Sequence, residues 1–229
     1  MKVLIRIPWV LFLTFCTAWL SSALAQQIGL TNPSILELKN VQAEVTTYRG
    51  TQALKLMEKE GDHPRGVFAM MKNLTFRNGT IDVDVAGTPA QGAFETARGF
   101  IGVLFRLQAD GSHYEQIYVR PTNGRADDQL RRNHSTQYVS APDWPWERLR
   151  KESPGVYESY ADMEPGQWMH LRIVVKGSNA SLYVGDAAQP CLLVHDLKLG
   201  EKEGGVALWI GPGTEGYFRN LKITDEAGK

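Results

Sequence analysis

The chain has 229 residues, 43% of them apolar, with 25 basic and 25 acidic side chains and a formal net charge of zero. Length and apolar content support one sizeable hydrophobic core and exclude a disordered chain. Balanced charge, with no run of five or more Lys or Arg, excludes a polybasic footprint for nucleic acid.

Lys2 and Arg6 precede an apolar run that includes Val10, Leu11, Phe12 and Leu13, and Ala23-Leu24-Ala25 places small residues two apart just before Gln26. This pattern predicts a secretory signal peptide over residues 1–25, cleaved near Ala25. Its apolar core is short for a membrane span. Cys16 does not sit in a lipoprotein signature, because Phe15 before it is too bulky. Cleavage would leave 204 residues with 23 basic and 25 acidic side chains, and no second long apolar run. The mature protein is therefore expected to have no membrane span. Cys191 would be its single cysteine, excluding an internal disulfide, and Cys191-Leu192-Leu193-Val194 reads as a strand holding a buried thiol. An exported chain of this size without disulfides is expected to be secreted or periplasmic in a bacterial envelope.

Beyond the signal, residues 26–40 form an N-terminal lead-in, and 41–229 are expected to fold as a single domain. Strand patterns dominate it. Runs of apolar, β-branched or aromatic residues lie at 52–57 and 67–71. Ile81, Val83 and Val85 alternate with Thr80, Asp82 and Asp84. Further runs follow at 100–107 and 114–119. Later, Leu171, Ile173 and Val175 alternate with His170, Arg172 and Val174, and Ala180, Leu182 and Val184 with Ser181 and Tyr183. Runs at 206–210 and 217–224 complete the set. Asn78-Gly79, Asp110-Gly111, Lys176-Gly177-Ser178, Gly204-Gly205 and Gly211-Pro212-Gly213 punctuate them. Period-two runs bounded by turn residues, with no long helical pattern, predict an all-β sandwich or barrel. One long loop, 121–166, interrupts the rhythm and carries Trp144, Trp146 and many Arg, Asp, Glu and Tyr residues. A structureless connection of that length with such aromatic content is expected to serve function or to pack on itself.

Signals for common chemistries are absent: no H-E-x-x-H, no paired C-x-x-C, no G-x-S-x-G. Gly211–Gly216 matches G-x-G-x-x-G formally, but a strand follows where a dinucleotide site needs a helix. The informative run is 113–120. His113, Glu115, Ile117 and Val119 point one way on that strand; Tyr114, Gln116, Tyr118 and Arg120 point the other. The second face is polar and aromatic throughout. Tyr rings stack on the apolar faces of pyranoses, and Gln and Arg bond hydroxyls or carboxylates. The same strand set makes Arg106 a binding candidate. Arg125, Arg131, Trp144 and Trp146 join it from the loop, the arginines as forks for an anionic or hydroxylated ligand and the indoles as a platform on the stiff turn Asp143-Trp144-Pro145-Trp146. Acid–base chemistry would draw on Glu115, Asp127 or His134, with Asp128 and Glu158 as further ionisable groups nearby.

Several segments resemble the concanavalin A-like and laminin G-like jelly-roll superfamily. Gly166-Gln167-Trp168-Met169-His170-Leu171-Arg172-Ile173-Val174-Val175 and Ser181-Leu182-Tyr183-Val184-Gly185 are similar to two of its strands. Gly102-Val103-Leu104-Phe105-Arg106 with Asp110-Gly111 and Tyr114-Glu115 resembles an upstream pair. Gly216-Tyr217-Phe218-Arg219-Asn220-Leu221-Lys222-Ile223 is similar to the last strand of the bacterial 3-keto-disaccharide hydrolase domain branch. The resemblance implies a two-sheet antiparallel jelly-roll β-sandwich that often holds glycan on its concave face. The Glu-x-Asp-x-(x)-Glu strand of family 16 glycoside hydrolases, which share the fold, is absent; Ile81-Asp82-Val83-Asp84 keeps the alternation without the glutamates. No cofactor is certain. Members often bind Ca²⁺, for which Asp110, Asp127 and Asp128 are the conceivable ligands, though no dense oxygen-ligand motif appears. The expected function is recognition of an oligo- or polysaccharide on the concave face and long loop. Two alternatives stand beside it: a glycoside hydrolase or lyase with a carboxylate acid/base and Arg120 or Arg125 positioning substrate, and a protein–protein interaction module.

Overall fold

The computed structural model describes residues 24–61 and 66–226. The signal peptide read over residues 1–25 lies outside the described residues except for its last two positions, which open the first strand.

In chain order the strands are β1 (Leu24–Gln27), β2 (Leu36–Lys39), β3 (Val41–Tyr48), β4 (Thr51–Glu58), β5 (Phe68–Met71), β6 (Gly79–Pro89), β7 (Ile101–Leu107), β8 (Tyr114–Val119), β9 (Thr136–Ala141), β10 (Glu158–Ser159), β11 (Met169–Lys176), β12 (Asn179–Val184), β13 (Leu192–Val194), β14 (Gly205–Ile210) and β15 (Thr214–Asp225). Two short helices, α1 (Gln129–Asn133) and α2 (Trp146–Glu152), lie on either side of β9. One sheet has the order β13-β12-β11-β6-β15-β4-β3, with β1 added to β15; the other has the order β10-β9-β8-β7-β14-β5-β2. All strand pairs are antiparallel. The architecture is an all-β, two-sheet jelly-roll sandwich.

The alternation read in the sequence becomes the two faces of each sheet. Ile81, Val83 and Val85 of β6 stand beside Ile173, Leu171 and Met169 of β11, and all six turn inward. Their counterparts from the other sheet are Ile101, Val103 and Phe105 of β7, Ile117 and Val119 of β8, and Val206, Leu208 and Ile210 of β14, in the same buried cluster. Burying each such side chain contributes about 1.5–3 kcal/mol, which holds the two sheets face to face. Between β11 and β12, Gly177 takes φ 58°, the left-handed conformation the tight turn requires. Residues 26–40 are built into both sheets, because β1 pairs with β15 and β2 with β5.

The segment 121–166 carries β9, which pairs with β8 from Tyr114↔Ala141 to Val119↔Thr136 and so extends the second sheet. Its strand character is hidden in the sequence because Thr136, Gln137 and Ser140 are polar yet buried. Asp128 caps α1 by accepting a 2.8 Å bond from the Arg131 amide. Leu149 anchors α2 to the sandwich at 1% exposure.

Candidate functional site

The outer face of the second sheet is organised in cross-strand rows. Phe68, Trp209, Gly102, Tyr118 and Gln137 form one row over β5, β14, β7, β8 and β9; Met70, Ala207, Leu104, Gln116 and Val139 form the next. Gly102 is the gap in the first row. A Cβ there would sit 2.3 Å from the Ile117 carbonyl oxygen and 2.6 Å from Tyr118 Cβ. The space lets the Tyr118 and Trp209 rings meet across β7, centroids 4.9 Å apart and tilted by 52°.

This aromatic floor lies between two adjoining cavities. The larger, 520 Å³, is lined by Tyr118, Trp209, Phe100, Phe94, Trp146 and Asn123, with Arg98, Arg120, Arg131, Arg150 and His134. The smaller, 170 Å³, is lined by Tyr114, Gln116, Tyr118, Val139, Trp144, Trp146 and Trp209 among others. Tyr118, Trp146 and Trp209 are common to both, so the two make one groove.

Trp146 reaches the groove because the chain folds back on β9. Ser140 and Trp144 exchange backbone hydrogen bonds of 3.1 and 2.8 Å, and α2 starts directly after Pro145. The Arg150 guanidinium sits over the Trp146 ring at 4.6 Å and forks onto Glu158 with bonds of 2.7 and 3.1 Å. Trp144 is flanked by Arg148 at 3.7 Å and Lys198 at 4.6 Å. Such cation–π contacts stiffen the wall that carries both indoles.

Among the described residues, two buried side-chain amide atoms on the groove have no hydrogen-bond partner: Gln116 Nε2, on a residue 3% exposed, and Asn123 Oδ1, on a residue 5% exposed. One is a donor and the other an acceptor. Arg120, 6% exposed, donates to the His134 carbonyl at 2.9 Å, the Tyr118 hydroxyl at 2.9 Å and Gln137 Oε1 at 3.2 Å. Burial lowers its pKa and raises that of Tyr118. Burial also lowers Arg98, to which the positive charges of Arg131 and Arg120 add. His134 Nδ1 lies 2.7 Å from Glu158 Oε2; burial holds the imidazole below its usual value, with Arg150 and Arg120 opposing the pull of Glu158.

Tyr114, Gln116, Tyr118, Arg120, Arg131, Trp144 and Trp146 therefore line one groove, with His134 in its wall. Others from the sequence reading lie elsewhere. Arg106, a binding candidate in the sequence, is instead turned inward by a bulge between β7 and β14 and by φ 52° at Arg106 itself. There it is fully buried and donates to the carbonyls of Arg77, Gly177 and Gly200. Arg125 is tied at the surface by Asp162, at 2.8 and 3.0 Å, and by Glu164. Glu115 points between the sheets, fully buried, and accepts 2.7 Å bonds from the Tyr138 hydroxyl and the Leu199 amide. Asp127 is exposed. Glu115, Asp127 and His134 thus do not converge, and a carboxylate pair built on Glu115 has no reach to the groove. Among the described residues no three His, Cys, Asp or Glu side chains gather as a metal-holding group. Asp110, Asp127 and Asp128 therefore do not fit a Ca²⁺ cradle; Asp110 instead receives the Ser112 amide at 2.8 Å and pairs with His113.

The sequence reading passed over Trp209, Gly102, Phe100, Asn123, Arg98, Arg150 and Phe94 as site residues. Trp209 was legible: Val206, Leu208 and Ile210 alternate inward, which puts Trp209 outward. Phe94 and Arg98 lie on an aperiodic connection and gave no signal.

No protein-family model matches the chain, and no curated protein matches it. Solved structures do. The chain is similar to the carbohydrate-binding module CBM66 from Bacillus subtilis, at 15% identity over 83% of this chain and 96% of that one, TM-score 0.57. It is similar to a prokaryotic β-1,3-1,4-glucanase (lichenase) from a mouse hindgut metagenome, at 11% identity over 89% and 99%, TM-score 0.53. It is also similar to the exoplasmic/lumenal domain of VIP36 in a Ca²⁺/Man3GlcNAc-bound form, at 9% identity over 89% and 92%, TM-score 0.52. At these identities the likeness establishes the fold, the concanavalin A-like sandwich; the narrower 3-keto-disaccharide hydrolase branch rests on the strand signatures alone. Among the described residues no helix is long and apolar enough to cross a membrane.

Proposed function

We propose that the protein is an exported glycan-binding β-sandwich that holds a saccharide in the groove on the outer face of its second sheet. The observation that carries this reading is the pairing of an aromatic floor with buried, unpartnered polar atoms of both kinds. Tyr118, Trp209 and Trp146 offer ring faces, Gln116 Nε2 a free donor and Asn123 Oδ1 a free acceptor. A sugar presents apolar C–H faces and hydroxyls that both donate and accept, so it answers all of these at once. A flat protein-docking face would call for neither the recess nor the orphaned amides. The fold is shared with a carbohydrate-binding module and a glucanase, so the scaffold accommodates sugars; the case for this chain rests on the groove. Export rests on the Lys2, Arg6 and Ala23-Leu24-Ala25 pattern.

The test is calorimetric titration with a panel of oligosaccharides, with reducing-sugar release followed in parallel. Trp146→Ala is expected to weaken binding about tenfold, as loss of a stacking platform does. Gln116→Leu removes the free donor and should cost about fivefold. Absence of binding to every sugar on the panel, or binding unaffected by both substitutions, would overturn the reading.

A further inference from the structure

The charge lining the larger cavity goes beyond what a neutral sugar requires. Arg98, Arg120, Arg131 and Arg150 line it together, and no Asp or Glu does. Of these four, only Arg150 has a carboxylate within ion-pair distance among the described residues, Glu158. Arg120 is the most telling. It is almost fully buried, yet its three acceptors are a carbonyl, a phenol and an amide, all neutral. Among the described residues Arg98 donates only to the backbone carbonyls of Glu95 and Ala97, and Arg131 makes no side-chain hydrogen bond. Burying the Arg120 cation without an ion-pair partner is unfavourable, and the positive charges of half-buried Arg98 and exposed Arg131 add to it, offset only at a distance by Glu158 and Glu95. A bound anion relieves both costs, and planar guanidinium forks match carboxylate and sulfate oxygens.

Resting on the glycan reading above, we infer that the ligand is an anionic saccharide. Its sugar ring lies over Tyr118 and Trp209, and its carboxylate or sulfate sits among Arg98, Arg120 and Arg131. The smaller cavity, lined without charged side chains, takes the neutral part of the chain.

The experiment compares four probes on the purified protein by calorimetry: hexagalacturonate, its fully methyl-esterified form, a sulfated galactan oligosaccharide and a neutral xylo-oligosaccharide. Binding is measured at low and at moderate salt. The expected result is at least tenfold preference for an acidic probe over the methyl ester, weakening with salt. Preference between the galacturonate and sulfated arms identifies the anion. Arg131→Gln, on an exposed side chain, and Arg98→Gln should each reduce acidic binding about tenfold and shrink the preference for the acid over its methyl ester. Melting temperatures of both variants report folding. Equal affinity for the acid and its ester, with both variants like wild type, overturns this inference while the glycan reading stands. Failure of all four probes to bind overturns both.

Discussion

Glu115 separates a structural carboxylate from a catalytic one. Its Oε2 accepts from the Tyr138 hydroxyl at 2.7 Å and its Oε1 from the Leu199 amide at 2.7 Å; the Tyr138 oxygen accepts in turn from the Lys198 amide at 2.7 Å. This chain ties the segment after β13 to β8 and β9. Glu115→Ala orphans two buried donors at about 1–3 kcal/mol each, and removes the negative charge facing Arg106. A loss of about 4 kcal/mol follows, or about 8–16 °C in Tm for a domain of this size. Glu115→Gln keeps one acceptor and faces an amide N–H₂ against the Tyr138 oxygen. Its cost is about 2 kcal/mol. Burial raises the Glu115 pKa and outweighs the hydrogen bonds that lower it. A carboxyl whose folded pKa exceeds its unfolded one loses stability as pH rises from the unfolded value, about 4.3, to the folded value. Glu115→Gln should flatten that slope. Differential scanning calorimetry across pH, with saccharide titration of the same variants, checks all of this. Unchanged Tm with lost sugar binding or lost sugar release would refute the structural assignment and return Glu115 to the chemistry.

Three further outcomes are expected. Gly102→Ala forces a methyl against the Ile117 carbonyl and Tyr118, so it should cost about 1–3 kcal/mol and also weaken saccharide binding by parting Tyr118 from Trp209; urea unfolding and titration read the two effects separately. Burial pushes the Asp84 pKa up, but hydrogen bonds from His170, Asn220 and Arg219 prevail and hold it below the usual carboxylate value. Its contribution is therefore present above the unfolded pKa, about 3.9, and lost as pH falls through the folded value; Asp84→Asn should show a smaller stability loss between about pH 5 and pH 3 in urea titrations. Burial pushes the Cys191 thiol up to about 11, and its Sγ lies 3.4 Å from the Leu182 carbonyl. At pH 7 it should react with iodoacetamide far more slowly in the native protein than in urea, as mass spectrometry of quenched samples would show.

Period-two alternation made the sheets legible in the sequence. Each apolar residue at i, i+2 and i+4 has only one way to leave water on a strand, and turn glycines mark where strands reverse. The same rule placed Tyr114, Gln116, Tyr118 and Arg120 on one face, since side-chain direction along an unbroken strand is a local property. Arg106 departs from it, because an extra residue of β7 opposite β14 makes a bulge that turns the side chain inward. The rule failed for β9 as well, whose Thr136, Gln137 and Ser140 are polar but satisfied by pairing, such as the 3.0 Å bond from Thr136 Oγ1 to the Ser159 carbonyl. Burial of a polar strand depends on partners distant in the chain, and composition does not record them. The groove itself is a product of tertiary structure. Arg98, Arg120, Arg131 and Arg150 come from four separate stretches, and only the folding of 121–166 back onto the second sheet sets them around one cavity. The alternation, and with it the sandwich, is written in the order of the residues. Which of these charges share one cavity follows from the packing alone, because electrostatic environment belongs to neighbours in space.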